Sequence, residues 1–201
     1  MSEEIRFPTQ PTSLRPPDLV EVITLDPTLR LDIHYARSDN FIGRPVYEEA
    51  RAFLQRPAAE ALVRVHQSLQ SEGLGLLIFD GYRPWRVTRI FWEETPPERR
   101  GFVADPRRGS RHNRGCAVDL TLFDLTTGDP LPMPSGFDEM TQRSHIQYDG
   151  GTESERAHRR RLQAAMTGAG FTPFEPEWWH FDYFEWDLYP VLDLNFAELG
   201  S

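Results

Sequence analysis

The chain has 201 residues, which suits one domain, 1–201, with a substantial core. Its formal net charge of −9 argues against nucleic acid or an anionic membrane surface as a partner. The single cysteine, Cys116, excludes an internal disulfide and a cysteine-only metal site. No apolar stretch is long enough to span a membrane or to act as a signal peptide, so we expect a cytoplasmic protein.

The N-terminal half of the chain predicts short strands, one helix and a buried strand. Residues 1–18 contain four prolines and little periodic pattern, which predicts an arm outside the core. The elements that follow are strands at 20–25 and 29–35, a loop at 36–47, a helix at about 57–72 that ends at Gly73, and an apolar strand at 74–79.

The C-terminal half begins with the turn D-G-Y-R-P at 80–84, which leads into a predicted helix over 84–94. The remaining predicted elements are a loop at 95–111, a strand at 117–123, a hairpin-like turn at 127–129, a helix at about 153–167 and a strand-like segment at 177–184. Strands and helices do not alternate regularly, so the pattern predicts the α+β class.

Two short segments contain residues that can bind a metal ion. One joins His112 to Asp119 across small residues, and the other contains Glu177 and His180. Two imidazoles and a carboxylate leave an open coordination position, as in catalytic zinc sites, and the spare glutamate could act as general base. From spacing alone, Asp119 could instead have a strong hydrogen-bond partner, and His180 could be a core histidine. Glu177 and His180 are three positions apart, so in a regular strand their side chains would point to opposite faces. A bulge, or a position at the beginning of the strand, would be needed for both to point to the same face.

These segments resemble the motifs of the D-alanyl-D-alanine dipeptidases, the vancomycin-resistance-type zinc enzymes of peptidase family M15. The pattern S-x-H-x-x-G-x-A-x-D is complete from Ser110 to Asp119, and E-W-W-H is complete from Glu177 to His180. Further segments that resemble the family, in the same order, are 35–36 with 39–41, 80–84, 136–138, 143–145 and 159–162. The resemblance therefore covers roughly residues 20–190.

The resemblance implies a metal site and its catalytic groups. One zinc ion per chain would be bound by His112, Asp119 and His180. Glu177 would be the general base for a water that the zinc activates, and Arg83 would stabilise the oxyanion. The implied reaction is hydrolysis of D-Ala-D-Ala to two D-alanines. Fe²⁺, Co²⁺ or Mn²⁺ could also occupy such a site.

The resemblance also implies how the dipeptide is held and which fold holds it. Ser110 and Asp138 would bind the free amino group of the substrate, with Tyr35 near the pocket. The fold would be that of the zinc D-Ala-D-Ala peptidases and the hedgehog signalling domain, a small antiparallel β-sheet flanked by helices. Considered singly, Asp138 could be a turn cap, Ser110 a loop hydroxyl and Arg83 a surface ion-pair residue.

Two other functions remain open within this fold. A cytosolic D,D- or L,D-carboxypeptidase acting on murein peptides would use the same metal and base. A binding module with a structural zinc would need neither Glu177 nor Arg83, so the presence of both argues against it.

The remaining candidate residues have structural interpretations. His145 is expected either to support the site without binding the metal or to be structural. Cys116 is expected to be a small buried residue, although a thiol close to a zinc ion could be oxidised. Solvated or structural roles are expected for His34, His66 and His158. The run Arg159–Arg161 is expected to be a solvated helix face paired with Glu153 and Glu155.

Overall fold

Seven strands form two sheets in the computed structural model, which describes residues 4–200. In chain order they are β1 (Leu19–Glu21), β2 (Arg30–Leu31), β3 (Phe53–Gln55), β4 (Leu74–Asp80), β5 (Ala117–Asp124), β6 (Phe171–Phe174) and β7 (Glu177–Tyr183). β1 and β3 pair alone, and the larger sheet has the order β2-β4-β5-β7-β6. Its pairs are antiparallel except for the parallel pair β2 and β4.

Four α-helices accompany the sheets. They are α1 (Val22–Leu25), α2 (Arg56–Gln70), α3 (Trp85–Glu94) and α4 (Glu153–Thr167). α2 carries a proline in its first turn, where the missing N–H is tolerated, and packs against β4. α4 begins with a capping box between Thr152 and Glu155 and packs on β6. The α+β class predicted from the sequence is confirmed, as are the three longer helices.

The two predicted N-terminal strands are largely wrong. Val22–Leu25 forms one helical turn, because the Asp26 amide donates back to the Val22 carbonyl at 3.3 Å. Only Arg30–Leu31 pairs with the sheet, and His34–Ala36 forms a 3₁₀ turn. Val20 and Leu31 lie in β1 and β2, but the other alternating apolar residues are buried outside any strand: Val22, Leu29, Ile33 and Tyr35. Burial alone therefore produced the period that was interpreted as a strand.

Two strands were not predicted. β3 is only three residues long and buried throughout, so it shows no alternation. β6 contains Pro173, which argues against a strand in general but is compatible with the edge position that β6 occupies in the sheet.

β5 separates the core from the candidate site. Val118, Leu120 and Leu122 are completely buried in the hydrophobic core, and Asp119 points to the opposite face because side chains alternate along a strand. Along the described chain, no helix combines the length and apolar character needed to cross a membrane.

Residues 4–18 contain no helix or strand and lie against the C-terminal segment. The Gln10 side chain donates to the Val191 carbonyl at 2.9 Å and accepts from the Val191 amide at 2.5 Å. Residues 1–3 of the predicted arm, and Ser201, lie outside the described residues.

Candidate metal and catalytic site

Three elements bring the predicted metal ligands together. His112 begins a 3₁₀ turn, Asp119 lies on β5, and His180 lies opposite Asp119 in the register of β7. His112 Nε2 is 3.1 Å from His180 Nδ1 and 3.4 Å from Asp119 Oδ1, and His180 Nδ1 is 3.0 Å from Asp119 Oδ1. All three residues are buried, and their ligand atoms lie within 4.8 Å of one another. The arrangement is a possible metal site.

Hydrogen bonds on the far side of each imidazole set its orientation. His112 Nδ1 donates to the Gly81 carbonyl at 2.7 Å, and His180 Nε2 donates to Asp182 Oδ1 at 3.0 Å. Both partners are acceptors, so the opposite ring nitrogens, which face Asp119, are the ones that can give up a proton and bind a metal ion. Metal-binding histidines in proteins are usually held in this way.

The electrostatics of the cluster favour a cation. Burial lowers the pKa of His180, but its hydrogen bonds to Asp119 and Asp182 outweigh burial and raise that pKa to about 10. Burial raises the pKa of Asp119, and the charge and hydrogen bond of His112 outweigh it, so the pKa of that carboxyl lies well below its usual range. Positive charge is therefore stabilised between these side chains, which is what a divalent metal requires.

Two glycines permit the backbone to reach this geometry. At Gly81, a Cβ atom would lie 2.8 Å from the Phe53 carbonyl oxygen of β3. Gly115 ends the 3₁₀ turn after His112 with φ +66°, a left-handed conformation that side chains disfavour, and a Cβ there would lie 2.3 Å from Leu19 Cδ2. The two glycines thus allow β3 to lie close to the turn that contains Gly81, and β1 to lie close to the turn that contains Gly115.

Glu177 reaches the metal site through an irregularity in the sheet. The register between β6 and β7 shifts after Pro173, so that Glu177 pairs with Phe174. Glu177 is also the first residue of β7, and its Oε2 lies 3.8 Å from His180 Nδ1, which agrees with the expected bulge or beginning of the strand. Burial raises the pKa of Glu177 to about 8, although His180 opposes this shift.

Arg83 is buried beside the metal ligands rather than at the surface. Its Nε and Nη2 donate to Asp80 Oδ2 at 3.0 and 2.7 Å, and Nη2 is 3.9 Å from Asp119 Oδ2. Tyr47 donates its hydroxyl to Asp80 Oδ1 at 2.7 Å. The guanidinium also lies 4.7 Å from the centre of the Phe91 ring. These contacts fix the direction of the cation.

The residues expected to bind the substrate lie around the same space. Tyr35 donates its hydroxyl to Asp138 Oδ2 at 2.7 Å, and Asp138 has a left-handed backbone with φ 58°. Burial raises the pKa of Asp138 to about 7, and the Tyr35 hydrogen bond opposes this shift. Ser110 Oγ accepts from the His112 amide at 3.2 Å.

One cavity of about 440 Å³ joins the predicted groups. It is lined by Tyr35, Arg83, Ser110, His112, Asp119, Asp138, Glu177 and His180. Each site residue named from the sequence therefore borders the same space, whose volume suits a small ligand.

Four supporting residues were not assigned a role from the sequence: Tyr47, Asp80, Asn113 and Asp182. Asp182 follows His180 by two, the spacing that places two side chains on one face of a strand, so the sequence held a signal for it. Asn113 lies inside the first motif, where its side chain accepts from the Ser110 amide at 2.7 Å and donates to the Arg83 carbonyl at 2.8 Å.

Other sequence expectations have mixed outcomes. His145 bonds to Glu175 at 2.9 Å and lies outside the cavity, so its role is structural. Cys116 is buried as expected, but burial raises its thiol pKa to about 12, which argues against easy oxidation.

The expected solvated arginine face on α4 is partly wrong. Arg160 pairs with Glu153 as predicted, at 2.8 Å. Arg159 is buried and donates to the carbonyls of His145 and Tyr148, because the helix packs against that loop.

Comparison with known proteins gives consistent matches. A family model described as D-ala-D-ala dipeptidase, of peptidase family M15, matches residues 15–197. The D-alanyl-D-alanine dipeptidase of Escherichia coli K12 is 38% identical over 180 residues, which cover 90% of this chain and 92% of that protein. The enzyme of the same name from Enterococcus faecium is 38% identical over 174 residues, with 76% of this chain and 85% of that protein covered.

Among solved structures, the LdcB LD-carboxypeptidase is similar with 20% identity and a TM-score of 0.47, covering 87% of this chain and 71% of that one. The family model and the two dipeptidases are matched along most of the chain, and the candidate metal, base and arginine residues border one cavity. This chain belongs to the peptidase M15 family of D-Ala-D-Ala dipeptidases.

Proposed function

We propose that the chain is a single-domain, zinc-dependent dipeptidase that hydrolyses D-Ala-D-Ala to two D-alanines. The observation that carries the proposal is the convergence of His112 Nε2, Asp119 Oδ1 and His180 Nδ1, with the Glu177 carboxylate 3.8 Å from the last of these atoms. The dipeptidases to which the chain is similar support the choice of substrate. The proposal includes the cytoplasmic location expected from the sequence.

The donor set fits one zinc ion per chain. Two imidazoles and one carboxylate are a common set for catalytic zinc, and both rings are oriented by acceptors behind them. When bound, zinc would supply Lewis acidity, which polarises a peptide carbonyl and lowers the pKa of water. Because Asp119 and Asp182 already stabilise positive charge on His180, the protein favours a cation at this position.

Glu177 would move the protons of the reaction. Its raised pKa makes it a stronger base than an ordinary glutamate, and a bound cation would draw that pKa back towards neutrality. A carboxylate with these properties can accept a proton from the attacking water and deliver it to the leaving amine.

Arg83 would stabilise the negative charge that develops on the scissile carbonyl oxygen. Its guanidinium is held by Asp80 and by the Phe91 ring, so little reorganisation is needed when charge develops. A fixed donor of this kind typically contributes on the order of 100-fold or more in rate.

Asp138 would bind the substrate ammonium, with Ser110 as a second acceptor. An ammonium near Asp138 would lower the pKa of that carboxyl and keep it ionised, and Tyr35 holds the carboxylate in place. The cavity of about 440 Å³ is large enough to hold the dipeptide.

The decisive experiment measures D-alanine released from D-Ala-D-Ala by the purified protein, with and without a chelator. Activity should disappear on chelation and return with added zinc, and metal analysis should find one ion per chain. Glu177→Gln should keep the zinc and lower kcat about 100-fold or more, since it removes a general base. Glu60→Gln, on the exposed face of α2, is the matched control.

Full activity under chelation, or in Glu177→Gln, would contradict the proposal. A clear preference for a pentapeptide over the dipeptide would favour a murein carboxypeptidase instead. Recovery of activity only with Fe²⁺, Co²⁺ or Mn²⁺ would change the metal.

A further inference from the structure

An arginine precedes the first metal ligand and has no role in the proposed mechanism. Arg111 lines the cavity, together with Arg108 and Arg114. Its Nε lies 3.5 Å from Asp182 Oδ2, and its guanidinium carbon lies 4.6 Å from the centre of the Trp186 ring. The side chain is thus held from two sides while 41% of it remains exposed.

The donors of Arg111 are available for a ligand. Within residues 4–200, its two Nη groups have no hydrogen-bond partner, whereas Arg114 Nη1 donates to the Tyr189 carbonyl. Arg108 is exposed at the rim. Arg111 is therefore a cavity arginine outside the proposed mechanism that is anchored and, within residues 4–200, has both Nη groups unpaired.

The charges of the cavity are arranged along β7. Along β7, Glu177 precedes His180 and Asp182 follows it. Arg111 lies beside Asp182. Tyr35 donates to Asp138 at 2.7 Å, and its ring lies 5.3 Å from the Arg83 guanidinium carbon, so Asp138 lies on the Arg83 side of the metal ligands. Asp138 and Glu177 thus lie on one side of the metal ligands, where Arg83 is already paired with Asp80, and Arg111 lies on the other side.

A free dipeptide has the complementary polarity. Its ammonium and carboxylate lie at opposite ends of two residues, which span at most about 7 Å when extended. With the ammonium at Asp138, the carboxylate would extend past the metal ligands towards the far end of the cavity. A guanidinium can bind a carboxylate through two parallel hydrogen bonds.

We propose that Arg111 binds the C-terminal carboxylate of the substrate and makes the enzyme selective for peptides that end one residue after the cleaved bond. This inference rests on the proposed function, because it uses the same cavity and the same orientation of the dipeptide. It adds a specificity determinant that the metal, base and oxyanion groups do not supply.

The test compares D-Ala-D-Ala with D-alanyl-D-alaninamide, whose terminal group is neutral. In the unchanged protein, kcat/KM for the acid should exceed that for the amide by about tenfold or more, since a hydrogen-bonded charge pair is lost with the amide. In Arg111→Gln this ratio should fall close to one, mainly through KM for the acid, and Arg111→Lys should keep part of it.

The ratio is measured within each variant, so a partial loss of folding or of zinc affects both substrates and cancels. Arg99→Gln removes an exposed charge outside the cavity and should keep the ratio of the unchanged protein. Calorimetric binding of the acid and the amide to zinc-loaded Glu177→Gln, alone and combined with Arg111→Gln, gives a second readout in which turnover is slow.

The outcomes separate the two proposals. Equal binding and cleavage of acid and amide by the unchanged protein, or a ratio that survives in Arg111→Gln, overturns the role of Arg111 while leaving the dipeptidase function intact. Loss of the ratio in Arg108→Gln alone also overturns it. No cleavage of D-Ala-D-Ala refutes the dipeptidase function, and calorimetry then decides the role of Arg111: selective binding of the acid that Arg111→Gln abolishes supports it, and any other result refutes it.

Discussion

His180 Nε2 donates a hydrogen bond at 3.0 Å to Asp182, which follows it by two positions on the same strand. The bond fixes the protonated nitrogen of the ring on the side away from the metal site, so that Nδ1 is free to bind a cation. The second oxygen of Asp182 faces Arg111 Nε at 3.5 Å, which helps to hold the carboxylate in place. One side chain therefore orients a proposed metal ligand and anchors a cavity cation.

We predict that Asp182→Asn weakens zinc binding by about 10- to 100-fold, the usual cost of removing the partner behind a metal-binding histidine. The amide is a weaker acceptor than the carboxylate and no longer raises the basicity of the ring. Competition with a chelator of known affinity measures the change. Asp187→Asn removes an equal charge from an exposed neighbour and is the control. An unchanged zinc affinity in Asp182→Asn would show that the hydrogen bond is incidental.

Tyr47 is predicted to position Arg83 through Asp80. Without the Tyr47 hydroxyl, Asp80 Oδ1 loses a donor at 2.7 Å, and the carboxylate holds the guanidinium less firmly. Arg83 can then move towards Asp119 Oδ2, which is 3.9 Å away. Tyr47→Phe should lower kcat about tenfold with little change in KM, since a hydrogen bond to a charged group contributes about 1.5–3 kcal/mol.

The control for Tyr47 is Tyr82→Phe. Tyr82 is also a buried tyrosine, but its hydroxyl bonds to the backbone of Leu194 at 2.8 and 3.1 Å instead of to the Arg83 network. It should lower thermal stability and leave kcat unchanged. A similar loss of kcat in both variants would mean that Tyr47 acts only through general stability.

The site was predictable because its residue types are concentrated in short segments. His112 and Asp119 share one motif, and Glu177 and His180 share another. The position of Glu177 at the beginning of β7, beside the register shift after Pro173, agrees with the orientation that their spacing demanded. The supporting residues differ in this respect. Tyr47 meets Asp80 across 33 positions, a contact that depends on the folded path of the chain.

The errors in the fold also have physical causes. β1 and β3 are three residues each and pair only with one another, so neither has the length over which a period can be recognised. Arg159 belongs to a run of three arginines that suggests a solvated face. Its burial depends on the loop carbonyls that α4 covers, which local sequence does not indicate.

Cys116 is predicted to be inert in the folded protein. Burial raises its thiol pKa to about 12, so the reactive thiolate is on the order of one part in ten thousand at pH 8. An aromatic disulfide reagent should modify no thiol in the native protein and one per chain after unfolding. Cys116→Ser should keep the dipeptidase activity. Rapid native modification that abolishes activity would show that the thiol is accessible from the site.

His66 is a buried neutral histidine far from the metal ligands in the fold. The Leu76 amide donates to its Nδ1 at 3.0 Å, so the ring proton lies on Nε2, which is 2.9 Å from Thr28 Oγ1. Burial lowers the pKa of His66, and the nearby Asp26 opposes this shift. Protonating the ring would break the bond from Leu76 and place a charge in the core.

We predict that this histidine makes the fold less stable in mild acid. The unfolded chain takes up a proton near the ordinary histidine pKa of about 6.5, whereas the folded ring stays neutral, so stability falls as pH drops below that value. The loss approaches about 1.4 kcal/mol per pH unit until the folded pKa is reached. Urea unfolding between pH 7.5 and 5 measures the free energy of unfolding of the unchanged protein and of His66→Gln. The unchanged protein should be the more stable of the two, and the difference should shrink as pH falls. His158→Gln, on α4, should run parallel to the unchanged protein, and a pH-independent advantage over His66→Gln would contradict the prediction.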